Sequence, residues 1–225
     1  SILIPTMHSR RVVFADALKE VQRQIAETPE IKVEVLWEAD NGELTLGQKR
    51  NVLIDRCSGK YHCFVDDDDV IAPYFLKTFV PMIQSGIDYD CASFVGAYYF
   101  RGKYKKLFNH SMEYKSWFET QDRYYRCPSP LNLIKTSIVR QVGYKDIRNI
   151  EDREFSMRLV DTGLLKTEFQ VDPNRPLYHY IDGVKQDREH WRYHWVGDFL
   201  ELYRVDQRVL NPLGFLKLSG GRINV

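Results

Sequence analysis

Cysteine is scarce in this 225-residue chain: four residues, at positions 57, 63, 91 and 127, with no CxxC pair and no Cys/His ligand spacing. A thiolate zinc site and a disulfide-stapled scaffold are thereby set aside. Cys63 and Cys91 sit in apolar segments, where a thiol behaves as a small hydrophobe. We read all four as reduced, which favours an intracellular setting. Long apolar runs are missing too, since none approaches the roughly eighteen residues that a bilayer span needs. The opening Ser1-Ile-Leu-Ile-Pro5 has no basic leader and is too short for a signal peptide, so it reads as a strand in a cytoplasmic protein. Nor is there an excess of charge: 32 Lys+Arg against 31 Asp+Glu, a formal +1, excludes the basic profile of a general nucleic-acid binder. With no repeat, low-complexity tract or Pro/Gly/Ser linker, one continuous domain is expected. What the chain does have is 44% hydrophobic residues, enough for a sizeable core, and 13% aromatics, which argue against disorder and suit stacking on carbohydrate.

Strand and helix signals alternate from the start. Ile2 to Ile4 form an apolar run; Phe14, Leu18, Val21 and Ile25 then recur at helical spacing, predicting a helix over 11–26. Residues 31–37 read as a strand ending at the turn signal Asp40-Asn41-Gly42, and 46–57 as a helix stopped by Ser58-Gly59. A strand over 61–65 runs into Asp66 to Asp69, and Pro73 is placed to start the next helix. This order predicts an α/β fold: a mostly parallel sheet with helices on both faces, and ligands beyond the carboxyl ends of the strands. Further on, 91–95 reads as a strand, 97–108 as a hairpin turning at Arg101-Gly102, 131–134 as a strand and 137–142 as a short helix. A helix over 152–162 stops at Gly163, 177–181 is a strand, and 191–205 reads as a last amphipathic helix.

Asp66 to Asp69 is the strongest chemical signal. Four adjacent carboxylates at a strand end repel one another, and no Lys or Arg lies between Tyr61 and Phe75 to relieve them. A divalent cation would. Oxygen ligands suit Mg²⁺ or Mn²⁺, which take one or two protein carboxylates and complete their shell with substrate phosphates and water. In extended backbone Asp66 and Asp68 share a face. The plainer alternative has some of these carboxylates capping the helix near Pro73.

Taken in order, Ser1-Ile-Leu-Ile-Pro-Thr6, Asp40-Asn-Gly42, Lys49-Arg-Asn51, Phe64-Val-Asp-Asp-Asp-Asp69 with Pro73 beyond, and Glu151-Asp152-Arg-Glu-Phe155 resemble the motif series of family 2 glycosyltransferases. The resemblance runs from residue 1 to about 163, and the stretch from Gly42 to Asn51 also resembles small virus- and phage-encoded members. It implies the GT-A fold, a Rossmann-like mostly parallel central sheet flanked by helices, with a smaller mixed acceptor-side half. The chain would then be a single domain, with a nucleotide-donor half over 1–96 and an acceptor half over 97–225 that ends in a helical segment. By the same resemblance, Thr6, with Pro5 before it, would line the nucleobase pocket, and Asp40 would contact the base or ribose of the donor. Arg50 would lie on the base or diphosphate, Asp66 with Asp67 on the ribose, and Asp68 on a metal ion bridging the diphosphate. A late His sometimes completes that metal shell, which points to His179; a hydrogen-bonded core or rim histidine is the alternative. Asp152 matches the catalytic base, with Glu151 binding acceptor or supporting the turn. Asn41 stands where the family often has a second Asp, so UDP is favoured over other nucleotides without being secured.

The activity implied is metal-dependent, inverting transfer of a sugar from a nucleotide-diphospho-sugar, a UDP-sugar in the first place, to a glycan or other hydroxyl acceptor. The carboxylates at 151 and 152 have a structural alternative, because acids at a helix start also stabilise the macrodipole. Arg101, Lys103, Lys105 and Lys106 are either a solvated hairpin edge or a contact for an anionic or sugar acceptor. Trp117, Tyr124 and Tyr125 are candidates for stacking on sugar, and 190–195 for a lid or acceptor wall. A glycoside hydrolase would need neither nucleotide nor metal. A nucleotidyltransferase of similar fold is expected to carry a Gly- and basic-rich loop after the first strand, which Met7 to Arg11 only partly matches. A non-catalytic sugar- or nucleotide-binding module is the third alternative.

Overall fold

The first half of the chain folds as β1 (Ile2–Met7), α1 (Arg11–Glu27), β2 (Glu34–Asp40), α2 (Leu46–Arg56), β3 (Tyr61–Phe64), β4 (Val70–Ile71) and α3 (Phe75–Gln84). The computed structural model describes residues 1–184, 190–205 and 220–224. Alternate side chains of the opening strands enter two cores: Ile2, Ile4, Val35 and Cys63 go to one, Leu3, Leu36 and Phe64 to the other. Strands buried on both faces need helices on both. Phe14, Val21 and Ile25 of α1 and Phe75, Phe79 and Met82 of α3 close the first core, while Leu53 and Ile54 of α2 close the second.

The second half adds β5 (Cys91–Ala92), β6 (Phe94–Phe100), β7 (Lys103–His110), β8 (Phe118–Glu119), β9 (Arg123–Arg126), β10 (Ile134–Lys135), α4 (Thr136–Val142) and α5 (Glu151–Thr162). β11 (Glu168–Phe169), β12 (Tyr178–Asp182), β13 (Trp191–Val196), β14 (Phe199–Arg204) and β15 (Gly221–Asn224) follow. A seven-stranded sheet has the order β11-β5-β10-β3-β1-β2-β15, and all but β10 and β15 run the same way. The mostly parallel α/β sheet read from the sequence is therefore present. A mixed six-stranded sheet, β4-β12-β6-β7-β9-β8, stands beside it. Each sheet draws on both halves of the chain. All four cysteines are buried and unpaired. No helix among the described residues is long and apolar enough to cross a membrane.

Four expectations change, and the first is that the strand read over 131–134 is confined to Ile134–Lys135. Residues 91–95 are two strands rather than one, because the chain leaves one sheet for the other at Ser93. The strand expected over 31–37 begins later and reaches Asp40, so that carboxylate ends the strand. The helix expected over 191–205 is instead the β13–β14 hairpin. Trp191, Tyr193 and Trp195 alternate with polar residues at period two, and Gly197 at φ +63° turns the chain, which outweighs the weaker helical spacing. Residues 206–219 lie outside the described residues, so the rest of the expected C-terminal helical segment is not placed. The hairpin over 97–108 forms as read, with Arg101 and Gly102 at φ +50° and +77° as its two left-handed turn residues.

Candidate functional site

The carboxyl ends of β1, β2 and β3 meet at one rim, and there the acid run is a turn rather than extended chain, with the Asp69 N–H donating to the Asp66 carbonyl at 3.3 Å. The expected sharing of a face by Asp66 and Asp68 is accordingly replaced. Asp67 and Asp68 are both ion-paired with Arg10, at 2.9 and 2.5 Å, and Asp67 also accepts from the Thr6 hydroxyl at 2.5 Å. Asp69 accepts from the Tyr178 hydroxyl at 2.9 Å and the Ile181 N–H at 2.8 Å, while that hydroxyl accepts from the Asp66 N–H. Charge relief thus comes from residues distant in sequence, where the sequence shows no local base. Burial still dominates at Asp67 and pushes its carboxyl up to about 7 against the pull of Arg10.

A cleft of about 400 Å³ opens in front of this turn and is lined by Arg50, Asp66, Asp69, Glu151, Asp152 and residues of the second half. Helix α2 carries Arg50 there. Its N-terminus is fixed by a capping box, in which Thr45 and Gln48 each bond the other's backbone N–H. Arg50 is buried, 4.5 Å over the Phe64 ring, and lies 3.3 Å from both Asp66 and Glu151. Its remaining nitrogen, Nη1, is buried with no acceptor among the described residues. Opposite, α5 delivers Glu151 and Asp152 in its first turn. Ile150 just before it has φ +60° and is 70% exposed, a β-branched residue in the left-handed region held at the rim of the cleft. Burial raises the Glu151 carboxyl above its usual range although Arg50 opposes the shift.

Of the ten residues singled out from the sequence, Arg50, Asp66, Glu151 and Asp152 come together in the cleft. Pro5, Thr6, Asp40 and Asp67 are buried and do not line the cleft. The Thr6 carbonyl accepts from Lys49 at 2.6 Å, and Lys49 also pairs with Asp40. Burial opposes ionisation of Asp40, yet the bonds from Lys49 and from the Leu44 and Gly42 N–H groups hold its carboxyl below the usual range. His179 lies on the face of β12 opposite to Tyr178 and Tyr180. It is fully buried against Tyr99 and Trp195, and burial lowers it to about 3. As they stand, these residues fit a guanidinium rather than a divalent cation. Asp68 is 2% exposed and paired with Arg10, and no three potential ligands converge among the described residues.

The basic stretch 101–106 does not line the cleft; Lys106 pairs with Glu119 at 2.6 Å and lies over Tyr124. Trp191 and Tyr193, expected as a lid or acceptor wall, instead line a small cavity with Asp67 and Asp69. Among the cleft residues that went unread in the sequence are His110 and Arg126. They are neighbours in the β7–β9 register, a pairing with no local sequence signal.

A family model described as glycosyl transferase family 2 matches residues 1–148. No curated protein sequence matches. Among solved structures, S. aureus TarS 1-349 in complex with UDP-GlcNAc is similar with a TM-score of 0.50 and 15% identity, over 80% of this chain and 58% of that one. TarS 1-349 alone gives a TM-score of 0.48 at 15% identity over 80% and 59%, and S. aureus TarS 0.46 at 13% over 81% and 36%. The chain thus spans less than two thirds of each of these proteins, and at such identities the likeness concerns the fold. The GT-A fold is the one the strand order and the rim already indicate, and the family match runs from residue 1 through both strand-end turns and α2 to the threshold of α5. This chain belongs to glycosyl transferase family 2.

Proposed function

We propose that the cleft transfers a sugar from a nucleotide-diphospho-sugar to an acceptor hydroxyl with inversion at the anomeric carbon. The observation that carries this reading is the convergence of Asp66 and Arg50 from the strand-end side with Glu151 and Asp152 from α5 on one cavity. Asp66 accepts hydrogen bonds from the donor ribose. Arg50, whose Nη1 has no acceptor among the described residues, donates to the diphosphate. Thr6, Asp40 and Asp67 shape the nucleobase side from beneath. Asp152 takes the acceptor's proton as the hydroxyl oxygen attacks the anomeric carbon from the far side. The bond from that carbon to the phosphate oxygen breaks, and the nucleoside diphosphate leaves with the electron pair. Arg50 meets the charge growing on it. Glu151 holds Arg50 in place.

UDP heads the nucleotides to be tested because one similar structure is a complex with UDP-GlcNAc. Mg²⁺ or Mn²⁺ was expected on Asp68; with Arg10 paired there, no step is routed through a metal. A reduced, cytoplasmic setting belongs to the same reading, supported by four buried unpaired thiols. The test is a calorimetric titration of UDP and UDP-sugars with and without Mn²⁺, followed by transfer assays on Asp152→Asn. Nucleotide binding should survive that substitution while transfer falls by at least about a hundredfold. Absence of nucleotide binding in either condition refutes the reading, and full transfer by Asp152→Asn removes that residue as the base.

A further inference from the structure

Arg126 is a cleft cation with no carboxylate partner among the described residues; Arg148, also at the cleft, instead donates to the Gly42 carbonyl. It ends β9, half-buried, with its guanidinium 4.3 Å over the Trp117 ring and flanked by Phe108 and Tyr124 at 5.5 and 5.7 Å. Among the described residues it has no ion-pair or hydrogen-bond acceptor, whereas Arg50 across the cleft has two carboxylates. A cation taken from water into an aromatic niche loses hydration that ring faces only partly replace, so the niche favours an incoming anion. Burial lowers the Arg126 guanidinium from its ordinary value, opposed first by the charge of Asp152, which lines the same cleft.

His110, its neighbour in the sheet register, supplies an independent observation. Its Nδ1 lies 3.1 Å from Asn132 Oδ1 and 2.8 Å from Ser129 Oγ. The Asn132 amide is oriented by its bond to the Ala92 carbonyl, and its Oδ1 accepts from the Ser129 N–H. That network assigns the ring proton to Nδ1, which leaves Nε2 a bare lone pair. Nε2 is buried without a partner on a residue that lines the cleft, and burial holds the ring neutral. A cation lacking an anion and a lone pair lacking a donor, side by side, describe a ligand bearing both an anionic group and a hydroxyl.

We infer that Arg126 and His110 form an acceptor subsite for a phosphate- or carboxylate-bearing polyol or sugar, the anion on Arg126 and a hydroxyl donating to His110 Nε2. This deepens the proposed transfer reaction and rests on it for the word acceptor; the anion site itself does not.

The probes are glycerol 3-phosphate, inorganic phosphate and uncharged glycerol, titrated calorimetrically into the whole chain with and without saturating UDP. Both phosphates should bind in the presence of UDP while glycerol gives no heat. Arg126→Gln should weaken phosphate binding by about tenfold or more, and Arg126→Lys by less, with UDP affinity unchanged in both. His110→Phe should weaken glycerol 3-phosphate more than inorganic phosphate. Unchanged phosphate affinity in Arg126→Gln overturns the inference. So does competition between phosphate and UDP, or a parallel loss of UDP affinity, since either would make Arg126 part of the donor site. If UDP fails to bind at all, the donor reading falls, and the Arg126-dependent phosphate titration without UDP still decides the anion site. Retained UDP binding or an unchanged near-ultraviolet dichroism spectrum shows that a variant is folded.

Discussion

Replacing Arg50 with Met tests whether the guanidinium holds the two halves of the site together. Methionine keeps the apolar stem against Phe64 and deletes the charge. Three consequences follow from the geometry. The cation stacked 4.5 Å over Phe64 is worth about 1 kcal/mol. Asp66, with a side chain 28% exposed, turns to water at little cost. Glu151 is 4% exposed and has no such escape, and a buried carboxylate stripped of its partner costs about 3–5 kcal/mol. Protonation limits that cost. From an ordinary value of 4.5, taking up a proton at pH 7 requires about 3.4 kcal/mol, so the charge penalty stops near there. The total is about 4 kcal/mol, a large share of the roughly 5–15 kcal/mol that keeps a domain folded.

Urea unfolding of Arg50→Met between pH 5 and 7 reads this directly. A carboxyl whose folded value is raised binds protons in the native state, so stability falls as pH rises through the window above its ordinary value. The deficit of Arg50→Met relative to the wild type should therefore shrink as pH is lowered, by at most about 1.4 kcal/mol per pH unit and by less where the raised wild-type carboxyl itself takes up a proton. Adding Glu151→Gln should restore about 2–3 kcal/mol at pH 7, because the unpaired charge is gone. A deficit that is flat with pH, or a double variant weaker than Arg50→Met, would refute the reasoning.

Glu34 supplies the acid limb of stability. Burial opposes its ionisation, but bonds from Ser1, the Ser58 and Gly59 N–H groups and the Ser58 hydroxyl bring its carboxyl down to about 2. Its folded value lies below its ordinary one, so its contribution is complete above pH 4.5 and lost as pH falls from 4.5 toward 2. Urea midpoints of Glu34→Gln should be lower than wild type at pH 6 and converge with it toward pH 2.5; parallel curves would count against this assignment. Gly96→Ala should destabilise by about 1–3 kcal/mol, since its methyl would stand 2.0 Å from the Phe108 ring on the paired strand. Shaving that ring with Phe108→Leu should lower the penalty of Gly96→Ala, and an unchanged penalty would show that the contact is not its cause.

The first half of the fold was legible because each strand is short, apolar and closed by a polar turn, and each helix carries one apolar stripe. Period and punctuation suffice for such segments. They fail where aromatics occur at both spacings: 191–205 holds Trp, Tyr and Trp two apart as well as bulky residues three and four apart. The choice was made by a hairpin packing Trp195 on His179 and Phe199 on Tyr104, contacts with no local trace. Residues 91–95 fail for a related reason, since nothing in five apolar residues says that the chain will change sheets.

The acid run shows how far a motif can be read without its partners. Its position at a strand end and its need for positive charge are sequence facts. Which carboxylate faces the cleft is decided by long-range neighbours. Arg10 draws Asp67 and Asp68 back, Tyr178 and the Ile181 N–H engage Asp69, and Arg50 steadies Asp66 at the opening. Alternation along an extended strand pairs Asp66 with Asp68, and the turn breaks that alternation. Arg126 is the converse case. It was invisible because an arginine in Arg123-Tyr-Tyr-Arg126 looks like any edge-strand base, and only the parallel pairing of β9 with β7 sets it beside His110 in the cleft. Charge placed by the chain's own turns could be foreseen, and charge placed by strand register could not. A site assembled from both kinds was therefore read at Arg50, Asp66, Glu151 and Asp152 and missed at His110 and Arg126.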